Sequence, residues 1–294
     1  VSGLAISTDR LRMTFGDSNA LADLTLDLPA GRITGLLGRN GAGKSTLMAL
    51  LAGYRRASDG SIRLDGDDPY ENGRLMAETC LVRDAVPFAD STTVRGHFQV
   101  VAAVRPRWDQ EYADRLIDLF ELPARKRIGK LSHGKQAAVS VITALASRAP
   151  VTMFDEPHLG MDAPSRYAFY DELLADYAAH PRTIILSTHI IDEIANLIED
   201  VVILDAGRLV VHDSVDRLRS RGAVVSGKAA DVDDVTFGLR VLSSRTFGSI
   251  KQAVVYDEFN GEFARRAASL GVDLEPIPLQ DLFIHLTSRE HAAS

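Results

Sequence analysis

Eight consecutive residues, Gly38-Arg39-Asn40-Gly41-Ala42-Gly43-Lys44-Ser45, follow the pattern GxxxxGK[ST]. The chemistry open to them is to hold a polyphosphate. Phosphate oxygens are dense in negative charge and need many donors at short range. Glycines let successive backbone N–H groups turn inward, and a helix starting after the loop presents its positive end to the same point. Lys44 is placed to reach the β- and γ-phosphates and the Ser45 hydroxyl to ligate Mg²⁺, with Thr46 completing the nucleotide-binding stretch. A glycine turn before a helix also arises by chance. Here the loop lies between a strand pattern and a helix pattern, as phosphate binding requires, so the motif predicts a nucleotide.

A phosphate loop alone does not separate kinases, GTPases and transport ATPases. A second motif, Val151-Thr152-Met153-Phe154-Asp155-Glu156-Pro157, narrows the choice. A buried strand delivers two adjacent carboxylates at its carboxyl end, where ligands gather in open α/β sheets. Asp155 is the candidate Mg²⁺ ligand, commonly through water, and Glu156 the candidate general base for an attacking water. A lone Asp-Glu pair is often only an acidic turn, but its place downstream of a phosphate loop gives it weight.

The third motif, Leu131-Ser132-His133-Gly134-Lys135, opens a helix pattern with Ser132 at the N-cap position. It resembles the LSGGQ element of the ABC ATPase family at Leu131, Ser132 and Gly134. The resemblance spans roughly residues 5–220 in motif order and spacing. It implies a P-loop ATPase domain of the ABC type, with an antiparallel β subdomain and a helical subdomain, that binds and hydrolyses ATP with Mg²⁺. It further implies an ATP-sandwich dimer in which Ser132, His133, Gly134 and Lys135 of one subunit touch the nucleotide held by the other. Asp162, in Gly160-Met161-Asp162, would sit at the dimer contact, and His189, in Ser187-Thr188-His189, would act beside Lys44 and Glu156 near the γ-phosphate. Phe15 occupies the position of the aromatic residue that stacks on adenine, although an isolated Phe is more often core. Two departures stand out. Asp84 aligns where the family has a glutamine that touches Mg²⁺ and the membrane partner, which makes it a candidate metal ligand. His133 and Lys135 replace Gly and Gln, and Lys135 can bring charge to a phosphate or point to solvent.

The elements that must position these residues are legible in outline. Residues 5–37 alternate polar and apolar, and residues 24–28 and 32–37 around a Pro-Ala-Gly turn predict a hairpin. Strands are expected at 61–64, 80–82, 151–154 and 183–187, and a last hairpin at 201–205 and 208–211. Helices are expected from Lys44 and over 110–120, 132–147, 164–178 and 191–198. Strands alternating with helices predict a parallel sheet covered on both faces. The pattern changes near Arg221, which suggests an ATP-binding domain over 1–221 and a small α/β accessory domain over 222–294.

Composition bounds the partners. No apolar run is long enough to span a membrane, no Arg-flanked apolar leader is evident, and one cysteine, Cys80, fits a reducing compartment. A formal net charge of −7 argues against nucleic acid as partner. The ABC resemblance, with no span in the sequence, implies a peripheral protein on the cytoplasmic side of the plasma membrane. Its partners would be a separate transmembrane permease subunit and a second ATP-binding subunit, identical or not. The residues near 279–287 resemble the tail of bacterial exporter-type subunits. The alternative is a soluble ABC ATPase without a membrane partner, such as the Fe–S assembly type.

Overall fold

The computed structural model describes residues 3–83, 91–188 and 190–288, so Asp84 and His189 lie outside the described residues. The chain forms two compact units, Val1–His189 with Leu197–His212, and Ile190–Asn196 with Asp213–Ser294.

In the first unit, β1 (Ile6–Phe15) and β2 (Ser18–Leu28) form an antiparallel hairpin in which Ile6 faces Leu28 and Phe15 faces Ser18. Their residues alternate between buried and exposed, the pattern of a sheet with one wet face. Next come β3 (Ile33–Gly38), α1 (Lys44–Leu51) and β4 (Asp59–Leu64), and β4 pairs antiparallel with the other side of β1. The hairpin expected between residues 24–28 and 32–37 does not form. All six residues of β3 are buried. A strand covered on both faces belongs inside a parallel sheet, so at Pro29-Ala30-Gly31 the chain changes sheets instead of reversing in one.

That second sheet contains β5 (Thr79–Arg83), β6 (Val151–Asp155), β7 (Thr183–Ser187), β8 (Asp200–Asp205) and β9 (Arg208–Ser214), in the order β5-β6-β7-β3-β8-β9. From β5 through β8 the pairing is parallel, with Asp155 beside Ser187 and Leu36 beside Ser187. The carboxyl ends of β3, β6 and β7 therefore share one edge. The expected hairpin of β8 and β9 is present, turning through Ala206 and Gly207, both at positive φ.

The remaining helices of this unit are α2 (Gly73–Glu78), α3 (Val94–Val104), α4 (Gln110–Leu119), α5 (His133–Ser147) and α6 (Ala163–Ala179). Each starts on a side-chain cap: Asn72, Thr93, Asp109, Ser132 and Asp162. The N-cap expected at Ser132 is thus present. The sequence pattern did not foreshadow α2 or α3. Phe154 of β6 and Phe169 of α6 are fully buried with ring centroids 5.3 Å apart, fixing the strand that carries Asp155 against its covering helix. Truncating either to alanine costs about 3–5 kcal/mol.

The second unit contains α7 (Ile191–Ile194), α8 (Val215–Arg221), β10 (Gly222–Lys228), α9 (Ala229–Thr236), β11 (Val241–Phe247), β12 (Ile250–Tyr256), α10 (Gly261–Ser269), β13 (Asp273–Pro276) and α11 (Leu279–Thr287). From β10 to β13 the elements run βαββαβ, and the antiparallel order β11-β12-β10-β13 makes this a split βαβ sheet. Its core is Ala223, Val225, Val232, Val235, Ala253, Val255, Ala267 and Val272. The helix expected over 191–198 is confined to Ile191–Ile194, because the chain re-enters the first unit at Leu197. Ile191 and Ile194 are fully buried, the Ile191 N–H donates to Gln280 Oε1 of α11 at 3.1 Å, and Arg219 of α8 donates to the Ala195 carbonyl at 3.3 Å.

Candidate functional site

The loop between β3 and α1 is shaped by its glycines. A Cβ on Gly38 would lie 2.6 Å from the Leu204 carbonyl oxygen, and one on Gly43 2.6 Å from that of Ala20. Gly43 also adopts φ 103°, in the left-handed region open to glycine. Ala42 N–H donates to the Arg39 carbonyl at 3.0 Å, and the Ala42 carbonyl accepts from Gly207 N–H at 3.1 Å, tying the loop to the β8–β9 turn. Arg39, Asn40, Gly41 and Ser45 are exposed on the loop, whereas Lys44 is buried. Its Nζ donates to the Gly38 carbonyl at 2.7 Å and reaches the Arg39 carbonyl at 3.4 Å. The ammonium is thus held across the loop by weak neutral acceptors, which a phosphate oxygen outbids.

The second cluster grows from the ends of β6 and β7. Ser187 Oγ donates to Asp155 Oδ1 at 2.8 Å and accepts the Glu156 backbone N–H at 3.0 Å. Glu156 sits at φ 52°, a conformation that costs a non-glycine residue about 1–2 kcal/mol. One carboxylate oxygen, Oε1, lies 3.9 Å from Lys44 Nζ, and the other, Oε2, lies 3.4 Å from Nε2 of the buried His158. The structure therefore brings Lys44, Asp155 and Glu156 to one edge of the parallel sheet. Sequence reasoning missed His158 and the bridging role of Ser187. An ionisable residue two places beyond a catalytic Asp-Glu pair was the signal available for His158.

The third motif lies at the start of α5. Ser132 Oγ accepts from Lys135 N–H at 3.4 Å. Gly134 has no room for a side chain, because a Cβ there would stand 2.5 Å from the Gly160 carbonyl, and the His133 ring packs on Gly160. Asp162 caps α6 by accepting from Ser165 N–H at 3.0 Å. Hydrogen bonds from Ser165 hold its carboxyl below the usual range. Ser132, Gly134, Lys135, Gly160 and Asp162 line one cavity of about 440 Å³. Within its own subunit Lys135 turns toward α4. Its Nζ donates to the Phe120 carbonyl at 2.6 Å and the Glu121 carbonyl at 3.3 Å, capping the C-terminal end of α4. Phe15, at the tip of the β1–β2 hairpin, is 42 % exposed rather than core, with the Arg55 guanidinium 5.2 Å from its ring centroid. Asp84 and His189 cannot be placed in this geometry, since they lie outside the described residues.

A glycine-shaped loop running into the start of α1, a lysine held by neutral carbonyls and a carboxylate pair at the end of β6 can together bind a nucleoside triphosphate and activate water toward it. Comparison with known proteins agrees with this chemistry. The ABC transporter family profile matches residues 21–159. The chain is similar to the aliphatic sulfonates import ATP-binding protein SsuB of Rhodopseudomonas palustris, 33% identical over 227 residues, covering 76% of this chain and 79% of that protein. It is also similar to the Nod factor export ATP-binding protein I of Bradyrhizobium diazoefficiens, 28% identical over 302 residues, covering 99% of this chain and 98% of that protein. A solved bacterial Atm1-family ABC exporter with ATP bound superposes with a TM-score of 0.63 at 26% identity, over 73% of this chain and 40% of that chain. No helix among the described residues is long and apolar enough to cross a membrane. The chain belongs to the ABC transporter family, as an ATP-binding subunit that hydrolyses ATP.

Proposed function

We propose that this subunit drives export through a separate membrane-spanning subunit, working at the cytoplasmic face as one half of an ATP-sandwich dimer. The observation that carries the catalytic part is the meeting of Lys44 and Glu156, 3.9 Å apart, where the phosphate loop leaves the sheet. An arriving γ-phosphate offers Lys44 a charged acceptor in place of the Gly38 and Arg39 carbonyls. Moving the ammonium toward it releases Glu156 to accept a proton from water. The water oxygen bonds to the γ-phosphorus as the bond from that phosphorus to the ADP oxygen breaks. His189 would act near the same phosphate.

The donor set suits Mg²⁺. Asp155 has one oxygen engaged by Ser187 and a second for a metal or its water, and Ser45 presents an exposed hydroxyl. Among the described residues no group of three or more His, Cys, Asp or Glu is arranged for a metal. Two hard oxygen donors, the Asp155 carboxylate and the Ser45 hydroxyl, suit an ion that keeps waters and substrate phosphates as its other ligands, as Mg²⁺ does. The ion would supply positive charge against the phosphate oxygens, with Asp84 as a further candidate ligand.

Export is favoured over import by extent of match. The exporter relative aligns along 99% of this chain, second unit included, whereas the importer relative covers 76%. Purification from detergent-solubilised membranes should yield this chain bound to a multi-span subunit. Inside-out vesicles given external ATP should then accumulate the cargo. Accumulation only in right-side-out vesicles would reverse the direction, and recovery of active ATPase with no membrane partner would favour the soluble alternative.

A further inference from the structure

We propose that Ser187 and His158 form a two-point clamp on Glu156 and are positioning residues for ATP hydrolysis; the inference rests on Glu156 being the base. Ser187 acts on the main chain. A serine hydroxyl has a single proton, and here it goes to Asp155 Oδ1 at 2.8 Å, leaving a lone pair for the Glu156 N–H at 3.0 Å. The same atom thus fixes the carboxylate assigned to the metal and the backbone of the residue assigned to the water. The Glu156 N–H has a second acceptor in the Ser187 carbonyl at 3.3 Å, so the strand end holds that amide twice. This grip matters because Glu156 sits at φ 52°, a conformation its neighbours must impose. A relaxed backbone at this residue would turn the side chain away from the phosphate loop.

His158 acts on the carboxylate. Its ring is 3 % exposed and stands 3.4 Å from Glu156 Oε2, while Lys44 approaches Oε1 from its own side at 3.9 Å. A phosphate draws Lys44 away, whereas His158 stays. At 3.4 Å the contact is close without being an aligned hydrogen bond, as is common in catalytic groups before substrate binds. Once Lys44 turns to the phosphate, the imidazole keeps Glu156 from following it. Nothing in the chain's three phosphate-handling motifs requires a histidine here; its geometry beside the base does.

The test is steady-state ATPase kinetics and ATP binding on the full chain, with thermal melting to confirm folding. Ser187→Ala should lower kcat about tenfold or more, the scale for losing a group that orients a catalytic carboxylate, while KM for ATP stays within about twofold. Ser187→Thr, which restores the hydroxyl, should recover most of the rate. His158→Leu should lower kcat on a similar scale of about tenfold, and His158→Gln, which returns a side-chain N–H, should recover it. In a Glu156→Gln background neither change should lower the residual rate further, because both act through Glu156. Wild-type kcat in Ser187→Ala and His158→Leu, with Glu156→Gln inactive, would overturn the clamp and leave the base intact. Loss of ATP binding or of the fold in step with rate, without rescue by Thr or Gln, would reduce both residues to packing and likewise overturn it. Turnover surviving in Glu156→Gln would instead remove the base reading on which the clamp stands.

Discussion

Glu156 Oε1 lies 3.9 Å from Lys44 Nζ, yet substitutions at the two residues should fail in different ways. Glu156→Gln is nearly isosteric and keeps the grip of Ser187 on the backbone, so ATP should bind normally while turnover falls by on the order of a hundredfold or more. An ATP-bound dimer should then accumulate, visible as an ATP-dependent shift in size-exclusion chromatography. Lys44→Ala removes the one ammonium inside the loop's curve and leaves the Gly38 carbonyl without its 2.7 Å donor. Nucleotide affinity itself should drop at least about tenfold, the scale of one charge-assisted bond, measured by equilibrium binding. Both residues were legible in the sequence because a phosphate loop and a strand-end carboxylate pair are local patterns whose chemistry dictates their spacing. Ser187 was not, because strand adjacency does not say which hydroxyl meets which carboxylate. Nor was His158: though local, it meets Glu156 Oε2 only through the left-handed backbone at Glu156, which no sequence pattern announces.

Among the elements, α5 has the most to position, and it is anchored at both ends. Lys135 ties its first turn to the C-terminal carbonyls of α4, so Lys135→Ala should cost about 0.5–1 kcal/mol and lower the denaturation midpoint without touching nucleotide affinity. Further along, Thr143 gives its only hydroxyl proton to the Val139 carbonyl at 2.8 Å, so His97 of α3 must donate its Nε2–H to Thr143 Oγ1, 2.8 Å away. Burial lowers the His97 pKa. The unfolded chain therefore takes up this proton first as pH falls below about 6.5, and stability declines from there until the folded ring also protonates. The melting temperature of His97→Gln should fall less than that of the wild type between pH 7 and pH 5.5 (about half a unit above and about one unit below the unperturbed value). The helix α3 escaped the sequence reading because its buried residues are few, Val94, Phe98 and Val101, set among small and exposed ones. The false hairpin before β3 has the opposite cause. Two apolar runs around a Pro-Ala-Gly turn look alike whether the chain reverses or changes sheets, and only the complete burial of β3 tells them apart.

Across the whole molecule, the boundary suggested at Arg221 was read from a local change in pattern, whereas the packing divides the chain at Asp213 and gives Ile190–Asn196 to the second unit. A local reading cannot find such an excursion, because seven residues that leave one unit and return carry no compositional signature. The split βαβ order was illegible for a related reason: β10 pairs with β12 and β13 across intervening helices, and no turn records it. Removing everything after Arg221 deletes Gln280 and strips α7 of its packing against α11, exposing Ile191 and Ile194. The truncated chain should retain the phosphate loop and bind ATP, yet melt earlier and bind more of a hydrophobic dye than the full chain. The chain passes between the units three times, at 189/190, 196/197 and 212/213. A protease that cuts once after His212 therefore does not liberate a domain. It makes a nicked protein of two polypeptides, in which the larger fragment still threads residues 190–196 through the fold of the smaller. The nicked species should run as two bands on a denaturing gel and as one peak on a native column. The same topology predicts that two separately synthesised halves, 1–212 and 213–294, recognise each other, because one carries the α7 segment that packs on α11 of the other.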